Sequence, residues 1–202
     1  MVNDEFKCIF IEVPKTASTS VRRILGEPEI PHLDILQIKE KTPETVFNSY
    51  YKFGFVRNPW DRTVSLYQRK NVHKQETFED FVTWIQNSSD TCQYPRAHKN
   101  QLDWFTDAKG NVIVDYIGKF ETLHEDWTKI KVNLNCEQDL PHVNIKPHSH
   151  FSSYYTPETV EIIREKFKVD IEYFGYEYPA EPGSGDTLKH FYRTWKGKIL
   201  KK

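Results

Sequence analysis

Two segments of the chain combine residues that could hold phosphate groups. The first, residues 10–20, reads Phe-Ile-Glu-Val-Pro-Lys-Thr-Ala-Ser-Thr-Ser, and the second, residues 53–67, reads Phe-Gly-Phe-Val-Arg-Asn-Pro-Trp-Asp-Arg-Thr-Val-Ser-Leu-Tyr. Each pattern predicts a short apolar strand, a turn, and a helix whose first turns are rich in hydroxyls and cations. The N–H groups at a helix start and the positive end of the helix macrodipole bind anions. The pair therefore predicts a ligand that carries phosphates at two ends.

The elements around these segments alternate between strands and helices. Apolar runs predict strands at residues 7–13, 51–57 and 112–117, and amphipathic patterns predict helices at 77–85, 98–105, 123–132 and 157–167. In the helix after the first strand we expect an N-cap from Thr16, Ser18, Thr19 or Ser20, and an end at Gly26. Pro59 is expected in the first turn of the helix after the second strand. This order predicts an α/β fold with a parallel sheet flanked by helices.

Length and composition limit the function classes. The 202 residues fit one domain, which we place at 1–178, and residues 179–202 form a linker-like basic tail. A formal net charge of -1 gives no basic field, so nucleic acid is not expected as a partner. Neither a signal-type apolar stretch nor a run of about 18 apolar residues occurs, so no membrane segment is expected. Three scattered cysteines without a CxxC pair indicate a reducing compartment, and we expect a cytoplasmic location.

Both segments resemble the sulfotransferases that use 3'-phosphoadenosine 5'-phosphosulfate (PAPS). Residues 13–20 resemble the 5'-phosphosulfate loop of the carbohydrate sulfotransferases, especially that of the heparan sulfate 2-O-sulfotransferases, and residues 55–67 resemble their 3'-phosphate element. Looser similarity continues through residues 115–123, 154–157 and 174–176. The resemblance implies a P-loop-like three-layer fold, PAPS as sulfonate donor and PAP as product. The acceptor it implies is a hydroxyl of a glycan or small molecule.

The resemblance and the residue chemistry together assign roles at the nucleotide. Lys15, where a strand gives way to a helix, would stabilise the leaving phosphate. Arg57 and Ser65 would hold the 3'-phosphate, because arginine offers a planar fork and Ser65 lies two helical turns on. Arg62 is expected to be structural, and Trp60 to pack in the core. The 5'-phosphate and sulfonate would lie against the rest of the first loop, namely Pro14, Thr16, Ala17, Ser18, Thr19 and Ser20.

The acceptor hydroxyl requires a base, and histidine is suited to that role near neutral pH. His32 is our candidate, since related carbohydrate sulfotransferases place a catalytic histidine between the two motifs. A surface histidine explains the pattern equally well, and Glu12 and Asp34 are rival bases.

Residues 135–153 form a long predicted loop, a type of segment that is usually functional. We expect residues 146–155 to cover the nucleotide, with Lys146 and Tyr154 against it, or to line the acceptor groove. His142, His148 and His150 lie in this loop, and the His-x-His pair at 148 and 150 is a possible metal-binding pattern. No nearby cysteine or HExxH pattern completes a site, so no metal is expected. Three residues of the preceding predicted helix would face the acceptor or solvent, namely His98, Lys99 and Gln101.

Two other functions stay open. A P-loop-like small-molecule kinase fits less well, because the first segment lacks the glycines of a GxxxxGK[ST] loop. A non-catalytic PAP- or nucleotide-binding module would keep both motifs without transferring sulfonate. The chain is short for an enzyme acting on a long glycosaminoglycan. Since eukaryotic carbohydrate sulfotransferases are typically anchored Golgi proteins, a core trimmed from such a protein is also compatible with the sequence.

Overall fold

A computed structural model describes residues 1–70, 81, 83, 85, 100–141 and 150–179. Phe81, Thr83 and Ile85 are helical, in agreement with the helix predicted at 77–85. Several predictions lie outside the described residues: those for His98, Lys99, His142, Lys146 and His148, and that for the tail from residue 180 onward.

A four-stranded sheet forms the centre of the fold, in the order β1-β2-β3-β4. The strand β1 is antiparallel to β2, whereas β2, β3 and β4 run parallel, with Phe10 opposite Phe53 and Phe55 opposite Gly118. The predicted α/β fold with a parallel sheet is confirmed. The strands are β1 (Val2–Asn3), β2 (Cys8–Ile11), β3 (Tyr51–Val56) and β4 (Tyr116–Lys119).

In the described ranges, seven helices with both ends defined and three 3-10 turns connect or cover these strands. The 3-10 turns span Leu102–Phe105, Phe120–Thr122 and Phe151–Tyr154. The helices are α1 (Ser18–Leu25), α2 (Ile35–Lys41), α3 (Glu44–Ser49), α4 (Pro59–Lys70), α5 (Leu123–Asn133), α6 (Pro157–Lys166) and α7 (Lys168–Phe174). None of the helices in the described ranges is both long and apolar enough to cross a membrane.

Helices cover both faces of the sheet, because side chains of a strand alternate between faces. Cys8 and Phe10 of β2 belong to one buried cluster, and Ile9 and Ile11 belong to the other. The first cluster includes residues of α1 and α5, and the second includes residues of α2, α4 and α6. The result is a three-layer arrangement with the sheet in the middle.

The structure moves several predicted boundaries. The third parallel strand starts at Tyr116 rather than at Val112, because Val112 pairs instead with Thr106 across the turn before it. The short helices α3 and α7 and the strand β1 were not predicted, since each has only two to seven residues, too few for a clear periodic pattern.

Gly54 allows the turn Leu102–Phe105 to pack closely on β3. A Cβ at this position would lie 2.5 Å from Cε1 of Phe105 and 2.7 Å from the carbonyl oxygen of Ile11. No other residue type fits between these neighbours without displacing them. The close packing brings the residue before this turn, Gln101, to the carboxyl end of β3.

Candidate functional site

The two predicted phosphate-binding segments meet at one edge of the sheet. β2 and β3 are parallel neighbours, so the chain leaves both strands at the same edge. The first segment continues into α1 and the second into α4. Ligands of open α/β sheets bind in the crevice beyond the carboxyl ends of the strands.

The first loop has an unusual backbone. Lys15 has a φ of 71° and Ala17 a φ of 77°, a region that residues other than glycine rarely adopt. Such strained residues cluster at ligand clamps and active sites. These two left-handed residues let the chain turn from β2 into α1 within six residues, 12–17.

The start of α1 is suited to an anion. Its N-cap is Ala17, which provides no side-chain cap, and its first turn contains no acidic residue. The predicted hydroxyl N-cap is therefore wrong: the Thr16 hydroxyl donates instead to the carbonyl of Val13, at 2.8 Å. Because the first N–H groups of a helix lack acceptors within the helix, this start offers donors to a phosphate or sulfonate.

Arg57 is the cation of the second segment, and it is buried. Its Nε and Nη2 both contact Oδ2 of Asp61, each at 2.8 Å. Its guanidinium carbon lies 4.1 Å from the centre of the Phe120 ring. A guanidinium has five N–H donors, and the contacts named in this subsection use three of them.

Arginines of the second segment also hold the first loop. Nη1 of Arg57 donates to the carbonyl of Lys15 at 3.2 Å, and Nε of Arg62 donates to the carbonyl of Pro14 at 3.0 Å. These two bonds connect residues 42 and 48 positions apart in sequence. Arg62 is buried and holds this loop, as a structural residue would, but Asp61, which we expected as one possible partner of Arg62, pairs with Arg57.

The helix α4 starts as predicted, at Pro59. The side-chain oxygen of Asn58 accepts from the N–H of Trp60 at 3.1 Å and caps the helix. Trp60 is 0% exposed, and its Nε1 donates to the carbonyl of Val160 at 3.1 Å. Its predicted packing in the core is confirmed.

Ser65 and Tyr154 lie near the same stretch of α4. Ser65 is half-buried, and three residues later Nε2 of Gln68 donates to the hydroxyl of Tyr154 at 2.8 Å. Residues three apart lie side by side on a helix. Tyr154 therefore contacts α4 one turn from Ser65, and the nucleotide roles of both residues stay predictions.

His32 is held by the end of β2. Its Nδ1 lies 2.9 Å from the carbonyl oxygen of Glu12, and its backbone φ is 59°. A carbonyl only accepts, so Nδ1 carries the proton in this contact and the lone pair of the neutral ring is on Nε2. That is the tautomer a general base at Nε2 requires.

The two rival bases have structural partners. The Glu12 carboxylate is 1% exposed and accepts from Nη2 of Arg22 at 2.5 Å and from Nε of Arg22 at 3.2 Å. The Asp34 carboxylate accepts from the N–H of Gln37 at 2.8 Å and caps α2. Both carboxylates therefore have functions in holding local structure.

Glu121 is a site neighbour that the sequence did not single out. It accepts from the backbone N–H of Asn58 at 2.6 Å and from the hydroxyl of Tyr176 at 3.2 Å. Burial raises the pKa of Glu121, and the hydrogen bond from Asn58 opposes that shift. Its only sequence signal was its place in residues 115–123, the third stretch of resemblance.

Gln101 does not lie on a solvated helix face, as one of our alternatives had it. The residue is 0% exposed, and its side-chain amide forms hydrogen bonds with both main-chain groups of Arg57.

His150 lies in residues 146–155, which we expected to cover the nucleotide or to line the acceptor groove. Its side chain accepts from the N–H of Ser152 and caps the start of the turn Phe151–Tyr154. Among the described residues, no group of three histidines, cysteines or carboxylates could hold a metal.

Comparison with known proteins decides the family. The model of the sulfotransferase family matches residues 1–177. The chain belongs to this family. It is a sulfotransferase, as the two motifs predicted. An uncharacterised protein of Archaeoglobus fulgidus is 31% identical over 108 residues, which cover 51% of this chain and 82% of that protein.

Two further relatives support the carbohydrate type of sulfotransferase. Carbohydrate sulfotransferase 10 of Xenopus laevis is 21% identical over 89% of this chain and 67% of its own length. The human protein of the same name is 20% identical over 88% of the chain and 67% of its own length. The chain thus spans about two thirds of the length of these relatives.

The Glu12–Arg22 pair gives a prediction about the loop before α1. We expect Glu12→Gln to lower the free energy of unfolding by about 1–3 kcal/mol, because a buried charged bond is lost. Glu27→Gln is the matched control, since Glu27 contacts the same Arg22 at 3.3 Å but its side chain is 75% exposed. Glu27→Gln should lower the free energy of unfolding by less than about 1 kcal/mol. Urea unfolding followed by circular dichroism measures both, and equal losses would contradict the assignment.

Proposed function

We propose that this sulfotransferase moves a sulfonate from PAPS to a hydroxyl of a saccharide. The observation that carries the proposal is the bond between Arg57 and the carbonyl of Lys15, because it joins the two cationic segments at one edge of the sheet. The names of the carbohydrate sulfotransferase relatives support a saccharide acceptor.

The hydrogen-bond donors of the two segments suit PAPS, the sulfonate donor. An N-terminus of α1 without an acidic residue or a side-chain cap suits the 5'-phosphosulfate end. The guanidinium of Arg57 suits a 3'-phosphate, since arginine binds phosphate oxygens through paired N–H groups. When bound, PAPS supplies an activated sulfonate whose leaving group is the 5'-phosphate.

The residues of the chain then have separate tasks. His32 takes the proton of the acceptor hydroxyl at Nε2, while the new O–S bond forms and the S–O bond to the 5'-phosphate breaks. The ammonium of Lys15 neutralises the charge that develops on the leaving phosphate oxygen. Backbone N–H groups of residues 16–19 and the hydroxyls of Ser18, Thr19 and Ser20 donate to the same oxygens. The Thr16 hydroxyl and the Ser20 N–H are already bound, to the carbonyls of Val13 and Ala17. In this proposal the nucleotide is also contacted by Ser65 of α4, by Tyr154 beside α4, and by Lys146.

Calorimetric titration of the wild-type protein with PAP, AMP and ATP–Mg²⁺ tests the cofactor. We expect PAP to bind with a Kd near 1 μM, about -8 kcal/mol. AMP should bind roughly 10–100-fold more weakly, since it lacks a phosphate that accepts charge-assisted bonds.

Two results of this titration would contradict the proposal. Preference for ATP–Mg²⁺ would favour a small-molecule kinase, and absence of nucleotide binding would remove the basis for any transfer. Selective PAP binding without transfer to any saccharide in an acceptor screen would favour a non-catalytic binding module.

Lys15→Ala should separate catalysis from binding. We expect kcat to fall by about 10²–10³-fold, because the lost charge acts on the leaving oxygen mainly in the transition state. PAP affinity should change much less. Lys41→Ala, at the exposed end of α2, is the matched control for removal of a lysine. Wild-type turnover in Lys15→Ala would remove this residue from the mechanism.

His32→Ala tests the base. We expect kcat to fall by about 10²–10⁴-fold, with little change in PAP affinity. The limb of the pH profile that rises as the base loses its proton should disappear as well. His124→Ala, on α5, is the control histidine and should keep both the rate and the profile. A loss of less than tenfold in His32→Ala would transfer the role to another group.

A further inference from the structure

We propose that Gln101 and Asp170 are positioning residues for Arg57, and that they thereby set the preference of the enzyme for a nucleotide with a 3'-phosphate. The inference rests on the proposed function, since it takes Arg57 as the ligand of that phosphate. Neither residue belongs to the two motifs. Both come from later parts of the chain, just before the turn Leu102–Phe105 and within α7.

The side-chain amide of Gln101 binds both main-chain hydrogen-bonding groups of Arg57. Its Oε1 accepts from the N–H of Arg57 at 2.9 Å, and its Nε2 donates to the carbonyl of Arg57 at 2.8 Å. The strand β3 ends one residue earlier, at Val56. The side-chain amide therefore satisfies the main-chain N–H and C=O of Arg57 as a neighbouring strand would, one residue beyond the sheet.

Asp170 fixes the orientation of that amide. Its Oδ2 accepts from the backbone N–H of Gln101 at 2.8 Å and from Nε2 of Gln101 at 3.3 Å, and its Oδ1 accepts from the N–H of Leu102 at 3.0 Å. A carboxylate only accepts hydrogen bonds. The NH₂ of Gln101 must therefore face Asp170 and the Arg57 carbonyl, which leaves Oε1 for the Arg57 N–H.

Burial makes this arrangement specific. Gln101 and Asp170 are both 0% exposed, so an amide turned the other way would leave buried polar groups without partners. Burial also raises the pKa of Asp170, while the hydrogen bonds from Gln101 and Leu102 oppose that shift. The charge of Arg62 opposes the shift in pKa as well, so the ionised carboxylate is stabilised by the bonds it accepts and by this arginine.

The consequence for binding follows from the other end of Arg57. Its guanidinium is fixed between Asp61 and Phe120, so main-chain position and guanidinium position are linked. A main chain that is held less firmly lets the guanidinium move away from the 3'-phosphate, and the loss of a charge-assisted hydrogen bond there weakens binding. AMP lacks the 3'-phosphate, and its affinity therefore serves as an internal reference.

Asp170→Asn is the principal test. The NH₂ of asparagine would face one of the N–H donors, so at least one bond is lost and the Gln101 amide can turn. By calorimetry, we expect PAP to bind at least about tenfold more weakly and AMP to change by less than about twofold. Asp103→Asn is the matched control, because Asp103 accepts from the N–H of Asn100 at 3.1 Å in the same turn. Both of its affinities should match those of the wild type.

Gln101→Glu provides a second variant of the same shape. It keeps an acceptor for the Arg57 N–H but loses the donor to the Arg57 carbonyl and adds a charge beside Asp170. We expect the same loss of preference for PAP over AMP. Hydrogen exchange at the Arg57 backbone amide gives a readout that needs no ligand. The exchange should be slow in the wild type and in Asp103→Asn, and faster in Asp170→Asn and Gln101→Glu.

The outcomes separate this inference from the proposed function. If the wild type does not prefer PAP to AMP, the proposed function is wrong and this inference fails with it. If the wild type prefers PAP and Asp170→Asn or Gln101→Glu keeps that ratio, the inference alone is wrong. Equal weakening of PAP and AMP would show a merely structural role. Rapid exchange of the Arg57 amide in the wild-type protein would overturn the inference without any variant.

Discussion

The buried guanidinium of Arg57 is the constraint on which the site depends. Such a charge is stable in an interior only when it is paired and hydrogen-bonded. Asp61 supplies the opposite charge, Phe120 covers the planar face, and the carbonyl of Lys15 accepts a further bond. Because that last acceptor lies in the first loop, satisfying the charge also joins the two phosphate-binding segments.

The carboxylates around the site have partners within the protein. Glu12 is paired with Arg22, Asp61 with Arg57, and Glu121 accepts from the N–H of Asn58. An incoming polyanion would meet strong repulsion from free carboxylates at this position. The arginine partners of Glu12 and Asp61, together with the absence of acidic residues from the first turn of α1, leave an edge of the sheet that suits negative charge.

The catalytic proposal also depends on local strain. Lys15, Ala17 and His32 all have positive φ angles. The first two lie between β2 and α1, and His32 lies between α1 and α2. Residues in the positive-φ region cost of order 1–3 kcal/mol each and persist only where the surroundings determine them. Here the surroundings are the arginine bonds to the carbonyls of Pro14 and Lys15 and the contact of His32 with Glu12.

The sequence by itself determined the parallel sheet, the helix start at Pro59 and the two motifs, because strand periodicity, proline geometry and loop chemistry are local. It did not determine the N-cap of α1, since the Thr16 hydroxyl is committed to Val13 only in the folded loop. Nor did it indicate the bonds of Gln101 and Asp170 around Arg57, which join residues 44 and 69 positions apart. Such pairings depend on how the turn Leu102–Phe105 and α7 pack against the sheet, and tertiary structure alone decides that packing.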